Sequence, residues 1–503
     1  MWLSRVYRGF TSKAAKAGAH VEPSFRNMIR NYLHAAGKAS LLPAPFIKSL
    51  EQCDFTLSVQ IPLRMDDGSV AKFNAYRAHH STYMLPLKGG IRFAPNTSVE
   101  TAEAMALLNT LKLAVVDLPL GGAGGGIDVD PSELSPNEFE QLLRRYSEAL
   151  FTRDMMSPAI DVPGPEMGAT PWSMAIMMDT YRSHVNDVNA LACVTGKPVE
   201  IAGVKGRATA GGLGACLALR EFCKNEEMMK GVGLTPGLSG KSYIIAGFGN
   251  MGSTIADILI NQEKDVRILG VIERDGCTYN PDGLNIPELK AHYLLHQTVK
   301  GFDGGQTFNS SRQILSKPCD ILIPATCEQY INATNVNSLN CKLLAECANG
   351  GLTQYADHQL KSKGVVIFPD LILTSGGMAV SFLEYVKNLG HIKLGRLTKR
   401  WQERSTARIY SLLEKVSGKK INDHDLKGAF QLAGREAVAF WDDAAENGKV
   451  LLAAVPHHFF DRVVVGAIIV HNNHPAAPLH PRQVHHLGPC GACRTVVEER
   501  PRR

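Results

Sequence analysis

At 503 residues the chain is longer than one hydrophobic core serves, so its length predicts about two to four domains. Charged residues make up 20% and hydrophobic residues 45%, as in ordinary globular proteins, and a formal charge of +6 without a long basic run argues against a nucleic-acid surface. The eleven cysteines lack regular spacing, which predicts reduced thiols in an intracellular compartment. The longest apolar run near the end, 463–470, is too short to cross a membrane.

The first 21 residues have the composition of a mitochondrial transit peptide. They carry four Lys or Arg residues and no acidic residue before Glu22, and apolar side chains recur beside these cations at helical spacing. A disordered basic tail is the alternative. We therefore expect a leader at 1–21 and a location in the mitochondrial matrix.

The next part of the chain predicts a sheet flanked by helices. A helical pattern starts at Phe25, is interrupted after Gly37 and stops at two prolines, Pro43 and Pro45. Polar and apolar residues then alternate on both sides of an Asp67-Gly68 turn, which predicts a β-hairpin. Further helices are predicted at 99–116, 138–151 and 171–181.

A glycine-rich stretch, LPLGGAGGGIDVDP, runs from Leu118 to Pro131 and holds five glycines within six positions. Glycines at this density allow positive φ angles and leave room for a ligand directly against the main chain. We therefore expect a small molecule to bind along this stretch.

The second half of the chain alternates short apolar strands with helical segments. A composition shift at Thr195-Gly196-Lys197-Pro198 suggests a domain boundary near Gly206. Strands are predicted at 242–246, 266–272, 320–324, 342–346 and 365–370. Such a rhythm predicts a parallel sheet covered by helices on both faces.

Within that half, GFGNMG follows a predicted strand and opens a predicted helix. Gly247 allows the tight turn, Gly249 lets a pyrophosphate approach the backbone, and Gly252 permits close helix packing. Glu273 ends the next strand and would bind the adenosine ribose hydroxyls, which favours NAD; Arg274 beside it keeps NADP as the alternative. A purely structural turn is the other interpretation of this motif.

Taken in order, KGGIR at 88–92, the glycine-rich stretch, DVPGPE at 161–166 and GFGNMG resemble the glutamate dehydrogenase family, within the Glu/Leu/Phe/Val dehydrogenases. The resemblance runs from about Phe55 to Leu397. It implies an α/β fold: an N-terminal α/β substrate domain with a mixed sheet, a Rossmann-type NAD(P)-binding domain, and an active site in the cleft between them. It also implies assembly as a homohexamer.

By this resemblance, Lys112 pairs with the α-carboxylate of the substrate, while Lys88 and Ser381 hold the side-chain carboxylate. A lysine at Lys88 implies glutamate or 2-oxoglutarate, with ammonium as the other reactant. Asp161 would move protons to and from the amine and the water as a general acid and base. Capping of a turn is the simpler role for an aspartate before Val-Pro.

The resemblance also implies that Arg207, Asn250 and Asn349 contact the cofactor, which is NAD with NADP as the alternative. One departure is central. The family's loop reads Gly-Gly-Ala-Lys with a catalytic lysine, and this chain has Gly124 there. Gly211 replaces a nicotinamide-side threonine, and Thr374-Ser375 replaces the family's asparagine before Gly376.

The domains predicted on these grounds are the leader at 1–21, a substrate-binding and oligomerisation domain at 22–205, a nucleotide-binding domain at 206–445 and an atypical tail at 446–503. Longer, animal-type members carry a helical antenna, and a shorter, degenerate version is expected here at about 396–445. From His457 onward the tail holds seven histidines and one CxxC pair. A zinc site and an unstructured tail are both compatible with that composition; no metal site is predicted.

Two functions remain open from the sequence. One is an oxidoreductase that interconverts glutamate with 2-oxoglutarate and ammonium. The other is a relative impaired at Gly124 that binds cofactor or substrate and co-assembles with an active subunit.

Overall fold

The computed structural model describes residues 21–40 and 42–391. The predictions for the leader, for the antenna-like segment and for the C-terminal tail with its CxxC pair lie outside these residues, apart from Val21. No helix within the described ranges is long and apolar enough to cross a membrane.

Two helices come first, α1 (Phe25–Ala39) and α2 (Ala44–Ser49). The Ser24 side chain caps α1 by accepting a hydrogen bond from the Asn27 amide. The predicted interruption is confirmed, but Pro43 begins the second helix instead of ending the first. Proline suits a helix start because its fixed φ angle is already helical and the first amides need no partner.

The first sheet has the strand order β1-β2-β4-β3-β5 and is mixed, as predicted. The hairpin is confirmed, with Ile61 opposite Phe73, while β4, β3 and β5 run parallel. Helix α3 covers one face, and α4 and α5 cover the other. The strands are β1 (Phe55–Arg64), β2 (Val70–His80), β3 (Leu87–Phe93), β4 (Gly121–Ile127) and β5 (Asp161–Pro165), and the helices are α3 (Val99–Val115), α4 (Pro136–Phe151) and α5 (Pro171–His184).

Strand β4 is the glycine-rich stretch, and its structure differs from the expected ligand loop. All seven of its residues are buried, and none of its glycines has a positive φ. A Cβ on Gly122 would lie 2.3 Å from the Ala106 carbonyl oxygen, and one on Gly124 2.5 Å from that of Ala102. The expectation of a small molecule against these glycines is therefore wrong: protein atoms already fill the space beside them, and Gly122 and Gly124 bring the backbone of α3 onto the strand.

The second sheet has seven strands in the order β12-β11-β10-β6-β7-β8-β9. The predicted parallel sheet is confirmed for β12 to β7, whereas the short edge strands β8 and β9 are antiparallel and carry too few residues to show a pattern. These strands are β6 (Ser242–Ala246), β7 (Arg267–Ile272), β8 (Cys277–Tyr279), β9 (Gln306–Phe308), β10 (Cys319–Pro324), β11 (Cys341–Ala345) and β12 (Val366–Phe368).

Helices cover both faces of this sheet, and the last of them returns to the first sheet. They are α6 (Ala210–Phe222), α7 (Glu226–Gly231), α8 (Asn250–Gln262), α9 (Ile286–His296), α10 (Ser311–Leu315), α11 (Gln354–Ser362), α12 (Asp370–Leu373) and α13 (Gly376–Leu389). The Tyr385 hydroxyl on α13 donates to the Pro158 carbonyl at 2.9 Å. A cleft forms where β3, α3 and β5 face α13 and the residues that follow β10 and β11.

Candidate active site

The GFGNMG turn lies at the carboxyl end of β6, between β10 and β7, where the strand order reverses direction. Gly247 has φ +97°, and a Cβ there would lie 2.5 Å from the Ala325 carbonyl oxygen. Gly249 precedes α8 and has open space where a Cβ would be, whereas a Cβ on Gly252 would lie 1.9 Å from the Gly247 carbonyl oxygen. The tight turn, the open approach to the backbone and the close packing of α8 thus each depend on a different glycine.

Glu273 follows β7 and closes the same crevice. Its carboxylate accepts hydrogen bonds from the backbone amides of Phe248 and Arg274. Burial raises the pKa of Glu273, and these two amides act in the opposite direction. Asn250, the first residue of α8, is exposed. The carboxylate is therefore held against the turn, in reach of a group bound above it.

Lys112 and Asn349 meet across the cleft. Lys112 lies in the last turn of α3 and is 3% exposed, and its Nζ donates to Oδ1 of Asn349, which follows β11. Burial lowers the pKa of Lys112, while the carboxylates of Asp370 and Glu166 raise it. A predicted substrate residue and a predicted cofactor residue thus face each other in one site.

Lys88 lies on β3 in the same cleft and is 1% exposed. Burial and the nearby cations Arg207 and Arg77 together lower its pKa to about 7, while Asp161 acts in the opposite direction. A Cβ on Gly164 would lie 2.6 Å from Lys88 Nζ and 3.1 Å from Thr195 Oγ1, a buried hydroxyl without a hydrogen-bond partner. The site around Lys88 therefore has surplus positive charge and an unused hydroxyl.

Helix α13 places Ser381 and Glu384 one turn apart, so both side chains lie on one face. The Glu384 carboxylate accepts from the Gly196 backbone amide at 2.8 Å, and Gly196 follows Thr195, which lies beside Lys88, so this face lies near Lys88. At the start of the helix, a Cβ on Gly377 would lie 3.4 Å from Nη1 of Arg207, and Nε of Arg207 is buried without a hydrogen-bond partner. Burial lowers the pKa of Arg207. The structure therefore brings Lys88, Arg207 and Ser381 to one region.

Asp161 begins β5 and is fully buried. Its carboxylate accepts from Arg77 Nε at 2.7 Å and Nη2 at 2.6 Å, and His79 Nε2 lies 2.8 Å from Oδ2. Burial raises the pKa of Asp161, but Arg77 and His79 outweigh it and hold the pKa below its usual value. Asp161 is thus an ionised carboxylate with both oxygens already bound.

The same motif holds a second carboxylate, Glu166, whose charge raises the pKa of Lys112. It forms a two-point ion pair with Arg92, with nitrogen–oxygen distances of 2.9 and 2.7 Å, and its side chain is 17% exposed. Arg92 also bonds Glu328, which follows β10 on the opposite side of the cleft. Sequence reasoning missed Glu166 because the DVPGPE motif contains two acids and drew attention to the first.

Gly124 lies on the face of β4 that is opposite Arg77, His79 and Asp161. On β2, Arg77 pairs with Gly125, Ala78 with Gly124 and His79 with Ala123, so Gly124 shares its face with Ala78 and with α3. Arg77 and His79 lie on the opposite face with Asp161. No side chain at 124 supplies a cation, and α3 already fills the space beside the backbone there.

Within residues 21–40 and 42–391, no group of three or more His, Cys, Asp or Glu residues could hold a metal ion. The nine cysteines of those ranges are all free thiols.

Two family models match the chain. Residues 54–183 match the Glu/Leu/Phe/Val dehydrogenase dimerisation domain, and residues 202–440 match Glutamate/Leucine/Phenylalanine/Valine dehydrogenase. The mitochondrial glutamate dehydrogenase of Dictyostelium discoideum is 40% identical over 414 residues, 82% of each chain. The glutamate dehydrogenase of Thermotoga maritima is 35% identical over 370 residues, 73% of this chain and 85% of that one. Among solved structures, the leucine-bound hetero-hexameric glutamate dehydrogenase of Thermus thermophilus has 28% identity and a TM-score of 0.67, covering 90% of this chain and 97% of its own.

Proposed function

Because the chain belongs to the Glu/Leu/Phe/Val dehydrogenase family and is a glutamate dehydrogenase-like oxidoreductase, we propose that it binds NAD and glutamate or 2-oxoglutarate but turns them over slowly. The observation that carries this proposal is the Lys112–Asn349 contact, because it joins the substrate side of the cleft to the cofactor side. The reaction is the reversible oxidative deamination of L-glutamate to 2-oxoglutarate and ammonium, in glutamate catabolism.

The residues of the GFGNMG turn fit a dinucleotide. The open space at Gly249 and the exposed amino end of α8 leave backbone amides free for a pyrophosphate. Glu273 is positioned to accept from ribose hydroxyls and to repel a 2′-phosphate, which favours NAD over NADP. When bound, the nicotinamide accepts or supplies the hydride. Arg207, Asn250 and Asn349 would contact the cofactor and orient it in the cleft.

The cations of the cleft fit a ligand with two carboxylates. Lys88 with Ser381 would hold the side-chain carboxylate, and Lys112 the α-carboxylate, exchanging Asn349 for the ligand. The surplus charge around Lys88 supports this, since a buried cation cluster is relieved by an anion. Arg207 Nε and Thr195 Oγ1 supply unused donors in the same region.

Two carboxylates could transfer protons to and from the amine and the water during the reaction. Asp161 is the residue proposed from the sequence, and His79 offers it a proton path at 2.8 Å. Glu166 is the second candidate because its charge acts on Lys112 and its side chain is partly exposed. Comparing D161N with E166Q separates them. The acid–base residue changes the pH profile of turnover without loss of binding, whereas removing a purely structural carboxylate lowers stability.

Slow turnover follows from Gly124. A developing oxyanion on the substrate needs a fixed cation, and loss of such a group typically slows a reaction on the order of a hundred- to ten-thousand-fold. The test is oxidation of NADH by the purified chain with 2-oxoglutarate and ammonium, beside a family member that has lysine at this position. We expect the chain to be at least about a hundredfold slower. An equal rate would show that another group supplies the charge.

A second candidate function is a non-catalytic subunit. It is favoured by Gly124 and by the Thermus thermophilus relative, which is described as hetero-hexameric. Co-expression with an active homologue and mass measurement of the complex would test it, and separate homohexamers would argue against it. A mitochondrial matrix location is proposed from the basic first 21 residues and the mitochondrial relative; import of a fusion of those residues to a reporter tests it.

A further inference from the structure

Residues 22–32 touch both sides of the cleft although no proposed ligand contact involves them. The apolar side of α1 packs on α3, the helix that carries Lys112. Met28, Ile29 and Leu33 are at most 6% exposed. The α3 residues in this shared core are Ala104, Met105, Leu107 and Leu108. The position of α3 therefore depends on α1.

The same segment lies against the loop that carries Asn349. Gly350 has φ +55°, and a Cβ there would lie 2.6 Å from Cε2 of Phe25 and 3.0 Å from Cε of Met28. A side chain at 350 would push the loop away from α1. Glycine at this position thus lets the Asn349 loop lie directly on the helix.

Hydrogen bonds also join residues 22–32 to the residues that follow the Asn349 loop. The Glu22 carboxylate accepts from the Thr353 hydroxyl and from the Ala333 amide, both at 2.8 Å. The Tyr32 hydroxyl donates to the Leu352 carbonyl at 3.1 Å. These partners lie more than 300 positions away in the chain, so the contacts join separate parts of the fold.

A third contact connects these anchors to Gly350. The side-chain Nε2 of Gln329 donates to the Pro23 carbonyl at 2.8 Å, and the backbone N–H of Gln329 donates to the Gly350 carbonyl at the same distance. The segment therefore holds the loop from both ends while its apolar side holds α3.

We infer that residues 22–32 form a brace that sets the position of the Asn349 loop relative to Lys112, with Glu22 and Tyr32 as positioning residues for dinucleotide binding. This inference rests on the proposed binding of a dinucleotide at Asn349. A loop held in place before binding loses less conformational freedom when the ligand arrives, so the brace raises affinity without touching the ligand.

Four variants of the full chain test the brace. E22A removes the acceptor of two hydrogen bonds, whereas E22Q keeps an oxygen acceptor and should restore wild-type behaviour. Y32F removes the hydroxyl that reaches Leu352. Y243F is the matched control, because the Tyr243 hydroxyl donates to a carbonyl, that of Leu238, at 2.7 Å within the nucleotide-binding half.

Two measurements are made on each variant: hydrogen–deuterium exchange of the amides at 349–353, and NADH affinity by fluorescence titration. Loss of one such hydrogen bond is worth about 0.5–1.5 kcal/mol, so Y32F should weaken NADH binding roughly two- to tenfold and speed exchange. E22A removes the acceptor of two such bonds, so its effects should be at least as large. E22Q and Y243F should match the wild type.

Faster exchange in E22A and Y32F with unchanged NADH affinity would overturn the inference, as would unchanged exchange. If the wild-type chain binds no NADH, the proposed function fails and the exchange result alone decides on the brace. In that case faster exchange at 349–353 in E22A, reversed in E22Q, sustains the brace, and equal exchange in all variants refutes it.

Discussion

Restoring the missing lysine, as G124K, is expected to damage the protein instead of activating it. A Cβ at Gly124 would lie 2.5 Å from the Ala102 carbonyl oxygen, 2.8 Å from the Ala106 amide nitrogen and 2.9 Å from Cβ of Met105. Two of these three atoms belong to the backbone in the middle of α3, which cannot turn aside as a flexible side chain can. Either α3 or β4 must move.

The magnitude follows from overpacking. Forcing one extra methyl into a filled core typically costs about 1–3 kcal/mol, so G124A alone should lower the free energy of unfolding by about that much. The lysine adds four more heavy atoms and a charge that must reach water or a carboxylate, so G124K should lie at or beyond the upper end. The same substitutions at Gly231 serve as matched controls, because that exposed position has nothing within 4 Å of an added Cβ.

Urea unfolding followed by far-ultraviolet circular dichroism measures both pairs, and NADH oxidation measures turnover. We expect lower midpoints for G124A and G124K, near-wild-type midpoints for G231A and G231K, and no rescue of turnover. If G124K is as stable as the wild type and gains a hundredfold or more in rate, α3 is free to move aside and the packing argument is refuted.

Three further predictions concern the cleft and its support. Affinity for 2-oxoglutarate should fall as pH rises through about 7 in the free protein, because Lys88 loses its proton there, and K88M should abolish that dependence in calorimetric titrations across pH 6–9. E273Q keeps the amide contact to Phe248 but removes the charge, so it should narrow the preference for NADH over NADPH, measured as a ratio of dissociation constants; an unchanged ratio would move the discrimination elsewhere. The buried Lys197 ammonium lies 2.7 Å from the Glu384 carboxylate, and E384Q leaves it without a counter-charge. E384Q should therefore lower the free energy of unfolding in urea by about 3–5 kcal/mol, whereas E384M/K197L should lower it clearly less. Equal losses would contradict the argument from a buried ion pair.

The nucleotide-binding half was largely predictable because its signals are local. Strand 242–246 was predicted at its observed bounds, and the three glycines of GFGNMG each have the geometry that the motif requires. Glu273 lies where the spacing predicted it, against the turn. Short edge strands such as Cys277–Tyr279 were missed because three residues cannot show a period.

The substrate side was less predictable because its geometry depends on which face of a strand a residue occupies. Glycines at 121–126 suggested a ligand loop, but glycine also permits close packing of a helix, and only the position of α3 distinguishes the two. Likewise, sequence alone could not tell that Arg77 and His79 occupy both oxygens of Asp161, since 82 or more residues separate them. The pairing of Lys112 with Asn349 joins residues 237 positions apart.

Calorimetric titration of the purified full chain with NADH, with and without 2-oxoglutarate, tests whether the crevice binds a dinucleotide. We predict that NADH binds, that it binds more tightly than NADPH, and that 2-oxoglutarate binds to the NADH complex. Absence of any dinucleotide binding would contradict the account, because both the oxidoreductase and the non-catalytic subunit depend on an intact crevice at Gly247, Gly249 and Glu273.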